Sequence, residues 1–225
     1  MNTLAELLGN NPIFASIPEP DFTQVIQLAF RRSYQKGEKA ILFGDVWPHL
    51  FLVGRGAIEA VKESGEGRSL RVASFGAGEL FWGLAFFHEG APMPVSLDVR
   101  EDSLLYLWTR EALLPVLLRN GRASWELSRL MAERMQRASD LVEGLAFQPV
   151  AGRLARLLLD NFETAGDSAI SRHLTLDEMA ARIGTTREMV CRALYSFSDK
   201  KLIEVTRTEF VLTNRDGLFN LIERG

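Results

Sequence analysis

Leu174 to Leu194 read L-T-L-D-E-M-A-A-R-I-G-T-T-R-E-M-V-C-R-A-L, and the spacing within this stretch decides what the C-terminal third of the chain can be. Thr175-Leu176-Asp177-Glu178 places a hydroxyl at a helix N-cap and a carboxylate three residues later, the capping box that opens a helix. Gly184 closes that helix. Met179, Ile183, Val190 and Ala193 fall where two consecutive helices would share one core, and Ala180 is small enough for them to approach closely. Helix, glycine turn and helix at this spacing predict a helix-turn-helix. After it, Lys201 to Thr213 alternates in β fashion on both sides of T-R-T-E, which predicts a hairpin wing.

Working upstream, Pro149 has no amide hydrogen and suits the first position of a new helix. That helix spans Val150 to Phe162, with Val150, Leu154, Leu157 and Leu158 on one face, and a polar loop from Thr164 to Arg172 follows it. Before Pro149 the pattern from Glu111 to Leu145 is helical, broken at Asn120-Gly121. Its second piece repeats Ser124, Leu127, Met131, Arg134, Ala138, Leu141 and Leu145 in steps of three and four, a coiled-coil seam. The expected dimer seam is Leu127, Met131, Arg134, Ala138, Leu141 and Leu145, buried by a second copy of the chain. The alternative is a helix packed on its own N-terminal domain.

Ten of the 18 glycines lie between Gly37 and Gly90 and separate short apolar runs such as H-L-F-L-V and V-S-L-D-V. Regular turns between short strands predict an all-β roll or sandwich, with a helix over Asp21 to Phe30 packed on it. The expected organisation is an α+β chain: a β-roll domain over 1–110, a linker and long helix over 111–148, and a winged helix-turn-helix over 149–225.

Composition narrows the function. Hydrophobic residues make up 47% and charged residues 24% of the chain, which is ordinary globular usage. The longest apolar runs fall far short of the roughly 18 residues of a membrane span, and a soluble cytoplasmic protein is expected. The single cysteine, Cys191, excludes an internal disulfide and a four-cysteine cluster. No Ser/His/Asp set, phosphate-binding Gly-Lys loop or metal-ligand spacing supports an enzyme. The net charge is −3, and residues 149–225 carry 11 basic and 11 acidic groups, so nucleic-acid binding must rest on local placement. Arg187 and Arg192 can each donate two hydrogen bonds to guanine, and Glu188 can accept from cytosine. Glu188 could instead complete a second capping box from Thr185, and the two arginines could be phosphate contacts or solvated.

These residues carry a likeness. The chain resembles the Crp/Fnr family of bacterial transcription regulators over nearly its full length: the β-roll with its K-G-E and G-x-G turns, G-L-A-F at Gly144 to Phe147, P-V-A-G-R-L-A at Pro149 to Ala155, and the 174–194 stretch. The resemblance implies a homodimer on double-stranded DNA with an inverted repeat. Arg187, Glu188 and Arg192 would contact the bases of a TG-containing half-site, Thr175 and Thr186 would lie near phosphates, and RNA polymerase would be a partner. Cyclic-AMP binders of the family carry a Gly-Glu pair and then an Arg-Ser pair in the roll; here Trp82-Gly83 and Met93-Pro94 stand in their places. Cyclic AMP by the usual mode is therefore not expected, since the roll supplies no cation for its phosphate. The N-terminal cysteines of the iron–sulfur branch are also missing. Trp82, Phe86, Met93, Pro94, Val95, Ala138 and Ser139 would line an apolar effector pocket, or simply fill the core. Haem-based gas sensing is a further alternative, with His88 as the candidate ligand. Control by protein level alone is a third.

Overall fold

The computed structural model describes residues 3–166, 169–172 and 174–223. Contacts divide the chain into two compact units: Met1–Lys62 with Val72–Arg137, and Glu63–Arg71 with Ala138–Gly225.

In the first unit, three short helices, α1 (Leu4–Gly9), α2 (Pro12–Ala15) and α3 (Asp21–Leu28), precede the strands. Eight strands follow: β1 (Phe30–Tyr34), β2 (Lys39–Ile41), β3 (His49–Arg55), β4 (Ile58–Glu63), β5 (Ser69–Phe75), β6 (Leu80–Trp82), β7 (Ser96–Val99) and β8 (Ser103–Thr109). They form two four-stranded sheets in the orders β1-β8-β3-β6 and β2-β7-β4-β5, the double-stranded roll that the glycine punctuation predicts. Non-consecutive neighbours dominate both orders because successive strands pass from one sheet to the other. Gly56 shows why the turns need glycine: its φ is 84°, and a Cβ there would stand 2.2 Å from Ser103 Oγ.

The roll encloses two apolar clusters. One joins α1, α2 and α3 to Leu50, Leu52, Trp108 and the following helices; Trp108, fully buried, donates its indole N–H to Val25 O at 2.7 Å. The other lies between the sheets around Phe51, Val53, Ile58, Leu97 and Leu107. Three expectations change here. The helix ends at Leu28 and Phe30 already begins β1, while β1 and β6 were not read from the sequence.

Two helices follow, α4 (Arg110–Arg119) and α5 (Gly121–Phe147), separated where Asn120-Gly121 predicts the break. At about 1.5 Å per residue, α5 is about 40 Å long. The residues of the expected seam fall in different surroundings along it. Leu127 is 5% exposed within the first apolar cluster, and Met131 packs against that cluster. Arg134 turns its guanidinium onto the rings of Phe75, Phe81 and Trp82. Leu141 and Leu145 line a depression of the second unit, and Ala138 is exposed. The stripe left to solvent is one residue later in each turn: Trp125, Ser128, Ala132, Met135, Ser139, Val142 and Ala146, again in steps of three and four. Trp125, Met135 and Val142 are 70%, 72% and 65% exposed. The N-terminal part of the first stripe, Leu127 and Met131, is taken up by the chain's own core, and the neighbouring stripe faces solvent because one residue turns a helix by about 100°.

The second unit contains α6 (Val150–Ala165), β9 (Ala169–Ser171), α7 (Leu176–Ile183), α8 (Arg187–Asp199), β10 (Ile203–Val205), β11 (Glu209–Leu212) and α9 (Arg215–Glu223). Strands pair in the order β10-β11-β9, so the wing is a three-stranded sheet. Ala169–Ser171 is thus a strand where the sequence reads as loop, and α9 closes the chain where no element is expected. Leu154, Leu158, Met179, Ile183, Val190, Ala193 and Phe210 form one core. The sequence-based boundary at 148/149 falls inside this unit, because the C-terminal turns of α5 pack with the helix-turn-helix: a Cβ built on Gly184 would lie 2.4 Å from Leu145 Cδ2.

Candidate nucleic-acid interface

The capping box forms as expected. Thr175 Oγ1 accepts from the Glu178 amide at 3.2 Å, and Glu178 Oε2 accepts from the Thr175 amide at 2.8 Å. The helix ends at Gly184, whose φ of 65° is the left-handed value that favours glycine. The second helix is then capped by Thr186, whose Oγ1 accepts from the Met189 amide at 3.3 Å. Thr186, not Thr185, is the N-cap, so the second capping box through Thr185 and Glu188 does not form. Both threonines at the two helix starts are occupied by backbone, and both helix N-termini carry orphan amides suited to an anion.

The first turns of α8 present Arg187, Glu188 and Arg192 to solvent. Arg187 Nη1 stands 3.4 Å from Asp177 Oδ2, with side-chain exposures of 66% and 71%. Arg192 donates to Glu188 one helical turn earlier, and both side chains are 70% exposed. Exposed pairs of this kind contribute at most about 1 kcal/mol. A bidentate base contact discriminates by about 1–3 kcal/mol, so DNA can take these groups from their partners at little cost. The opposite face of α8, Val190, Ala193, Leu194 and Phe197, is buried and fixes the rotation of the helix. Cys191 is a free, partly buried thiol between the two faces.

Several groups on the same unit escaped the sequence reading. Tyr195 is 70% exposed on α8, Lys200 and Lys201 follow its last turn, and Arg207 is exposed at the wing tip. The T-R-T-E turn was the available signal for Arg207. Arg153, within P-V-A-G-R-L-A, has a second unexpected role. Its Nε donates to Ile183 O at 2.8 Å, and its Nη1 donates to Gly144 O at 3.3 Å and also to Gln148 O. Carbonyls from the C-terminal ends of α5 and α7 thus converge on one guanidinium, where helix dipoles favour a cation. Burial holds its pKa below the ordinary arginine value.

The expected effector pocket divides differently. Phe86, Met93 and Val95 are 0%, 1% and 7% exposed and belong to the roll's apolar clusters; they are core. Pro94, Ala138 and Ser139 are exposed, and Trp82 is half-buried. Gly83 packs so tightly that a Cβ would stand 1.8 Å from Trp47 O. The sequence reading found no cation beside Trp82, yet Arg134 Cζ lies 4.9 Å from that ring. His88 is exposed on the turn after Phe87. Among the described residues no cluster of metal-ligating side chains occurs, and none of their helices is long and apolar enough to cross a membrane.

Comparison with known proteins agrees with this architecture. Residues 31–120 match the family model described as cyclic nucleotide-binding domain, and residues 152–221 match that of the Crp-like helix-turn-helix domain. The chain belongs to the Crp/Fnr family of transcription regulators. It is 27% identical over 199 residues to the cyclic AMP receptor protein of Thermus thermophilus, covering 88% of this chain and 90% of that one. It is 28% identical over 186 residues to the cAMP-activated global transcriptional regulator Vfr of Pseudomonas aeruginosa, covering 78% and 85%. Among solved structures, a Crp/Fnr-family regulator from Eubacterium rectale superposes with a TM-score of 0.77 at 19% identity, over 94% and 98% of the two chains. CooA of Carboxydothermus hydrogenoformans superposes with a TM-score of 0.71 at 17% identity, over 95% and 96%; these two likenesses concern the fold. As a Crp/Fnr protein the chain is a DNA-binding transcription regulator and not an enzyme.

Proposed function

We propose that this Crp/Fnr regulator acts in the cytoplasm as a homodimer that reads an inverted repeat with TG-containing half-sites. The observation that carries the reading is the exposed trio Arg187, Glu188 and Arg192 at the start of α8, each charge held by nothing stronger than a surface ion pair. In a helix-turn-helix these positions face base edges in the major groove. Arg187 and Arg192 would donate to guanine, Glu188 would accept from cytosine, and Thr175 and Thr186 at the helix starts would approach phosphates. Lys200, Lys201 and Arg207 would add backbone contacts on either side. The dimer seam would be the solvent stripe Trp125, Met135, Ser139 and Val142, with RNA polymerase engaged in turn by the DNA-bound dimer.

The Thermus thermophilus and Pseudomonas aeruginosa relatives named above are cyclic-AMP proteins by name, but Trp82-Gly83 and Met93-Pro94 replace the pairs that family resemblance ties to that ligand. We infer control by a different effector, or by protein level. Fluorescence anisotropy on a TGTGA-type inverted repeat tests the DNA reading: binding must exceed that to a scrambled duplex by at least tenfold, and Arg192→Ala must remove the difference. Equal affinity for both duplexes refutes it. Native mass spectrometry with an absorption spectrum of the purified protein then separates a retained small molecule from an effector-free regulator, and a Soret band would favour haem.

A further inference from the structure

We propose that Tyr195 is a specificity-determining residue of the DNA-reading helix: its ring packs on the C5-methyl group of one thymine in each half-site, and its hydroxyl donates to a neighbouring phosphate oxygen. The proposal rests on reading α8 as the helix that enters the major groove. Glu188, Arg192 and Tyr195 follow one another along α8 at spacings of four and three. At about 100° per residue they lie within about 60° of one another on a single stripe, with Tyr195 about 10 Å beyond Glu188 along the axis. Val190, Ala193, Leu194 and Phe197 are buried on the opposite side, so the core of the unit fixes where this stripe points.

Glu188 and Arg192 hold each other in the free protein, whereas Tyr195 is 70% exposed. Among the described residues no hydrogen bond, ion pair or ring contact engages it. A ring left in water on a charged stripe is the part of that stripe that gains most from being covered, since an aromatic side chain buries about 150–250 Å². The major groove offers such a ring one apolar group, the thymine methyl. Arginine on guanine and glutamate on cytosine read only G·C pairs, so a methyl contact adds information those two residue types do not collect. A recognition helix presents its N-terminal residues to the base edges. A residue two turns further along stands nearer the groove wall, where the ring can touch a base edge while the hydroxyl at its tip meets the sugar-phosphate backbone, a usual partner of tyrosine. Apolar body and polar tip thus divide the work between sequence and position.

The test removes methyl groups from the DNA. Anisotropy of the full chain is measured on the TGTGA-type inverted repeat with each thymine, within the half-site and immediately beside it, replaced in turn by deoxyuridine in both half-sites. One position is expected to lose about fifteenfold in affinity, about fourfold for each methyl group buried. Tyr195→Ala should abolish that difference and bind the unsubstituted repeat about fifteenfold or more less tightly. Tyr195→Phe should keep the preference for thymine over uracil and weaken all duplexes by one common factor of about ten or more, the effect of losing a hydrogen bond to a charged group. Both variants alter an exposed side chain and should melt as the parent does. Tolerance of uracil at every position, or a uracil penalty that persists in Tyr195→Ala, overturns the thymine contact. Equal affinities of Tyr195→Phe and the parent overturn the phosphate contact. Either failure, with Arg192→Ala still losing the preference for the repeat over scrambled DNA, leaves the regulator standing. A parent protein with no preference for the repeat refutes the regulator, and the Tyr195 contact falls with it.

Discussion

At the scale of single residues, the molecule separates charges that are cheap to recruit from charges that are committed. Arg187 and Arg192 are recruitable, being exposed and paired only with Asp177 and Glu188 across solvent. Replacing Arg192 by alanine should weaken binding to the cognate duplex by about 10- to 150-fold, with nonspecific affinity nearly unchanged, as a competition assay against scrambled DNA would show. Arg153 is committed, and it was invisible in the sequence because its three partners are backbone carbonyls, which no residue type advertises. Arg153→Ala should lower the unfolding midpoint of the protein, while Arg153→Lys should recover part of the loss by reaching one carbonyl. His49 gives a pH signature. Burial first and the Arg32 charge second hold its imidazole below the ordinary histidine pKa, and its Nδ1 is buried without a partner between the Phe30 and Trp47 rings. The folded protein therefore keeps it neutral while the unfolded chain protonates near pH 6.5. Stability should fall as pH drops below about 6.5 and level off once the folded pKa is passed. Thermal melts between pH 7.5 and 5 should show this slope reduced in a His49→Gln variant.

At the scale of elements, long periodic segments were legible and some short ones were not. The break at Asn120-Gly121, the Thr175 capping box and the Gly184 stop all occur where local chemistry demands them. β6 and β9 have three residues each, too few for alternation to register, and they form because a neighbouring strand offers its edge. In the long helix, extent is legible from periodicity and rotation is not. Two stripes of period 3.5 lie side by side on α5, and periodicity alone cannot say which one meets the chain's own core. A pair of variants distinguishes them. Leu127→Ala should cost about 2–5 kcal/mol of folding stability, as for a buried leucine. Met135→Asp, at a position 72% exposed, should leave the melt nearly unchanged and shift sedimentation from dimer toward monomer. The reverse pattern would return the seam to the Leu127 stripe.

At the scale of the whole molecule, the charge balance sets how the protein must find DNA. With a net charge of −3, attraction to the duplex depends on the few basic groups around α8 and the wing, so the salt dependence of binding should correspond to few phosphates, each contributing a slope of about −0.9 in log–log form. A dimer with two such helices requires half-sites about 34–36 Å apart. Inserting five base pairs at the centre of the inverted repeat rotates one half-site by half a turn, and anisotropy should then report affinity close to that of a single half-site. Gly184 makes one further point, in genetic terms. Its left-handed φ and the methyl of Leu145 at 2.4 Å from an added Cβ mean that Gly184→Ala carries both a backbone and a steric penalty. Only the second is reversible from elsewhere in the chain. A screen for revertants of a Gly184→Ala strain should return partial suppressors that shorten Leu145, an allele on the long helix that answers a lesion in the DNA-reading turn.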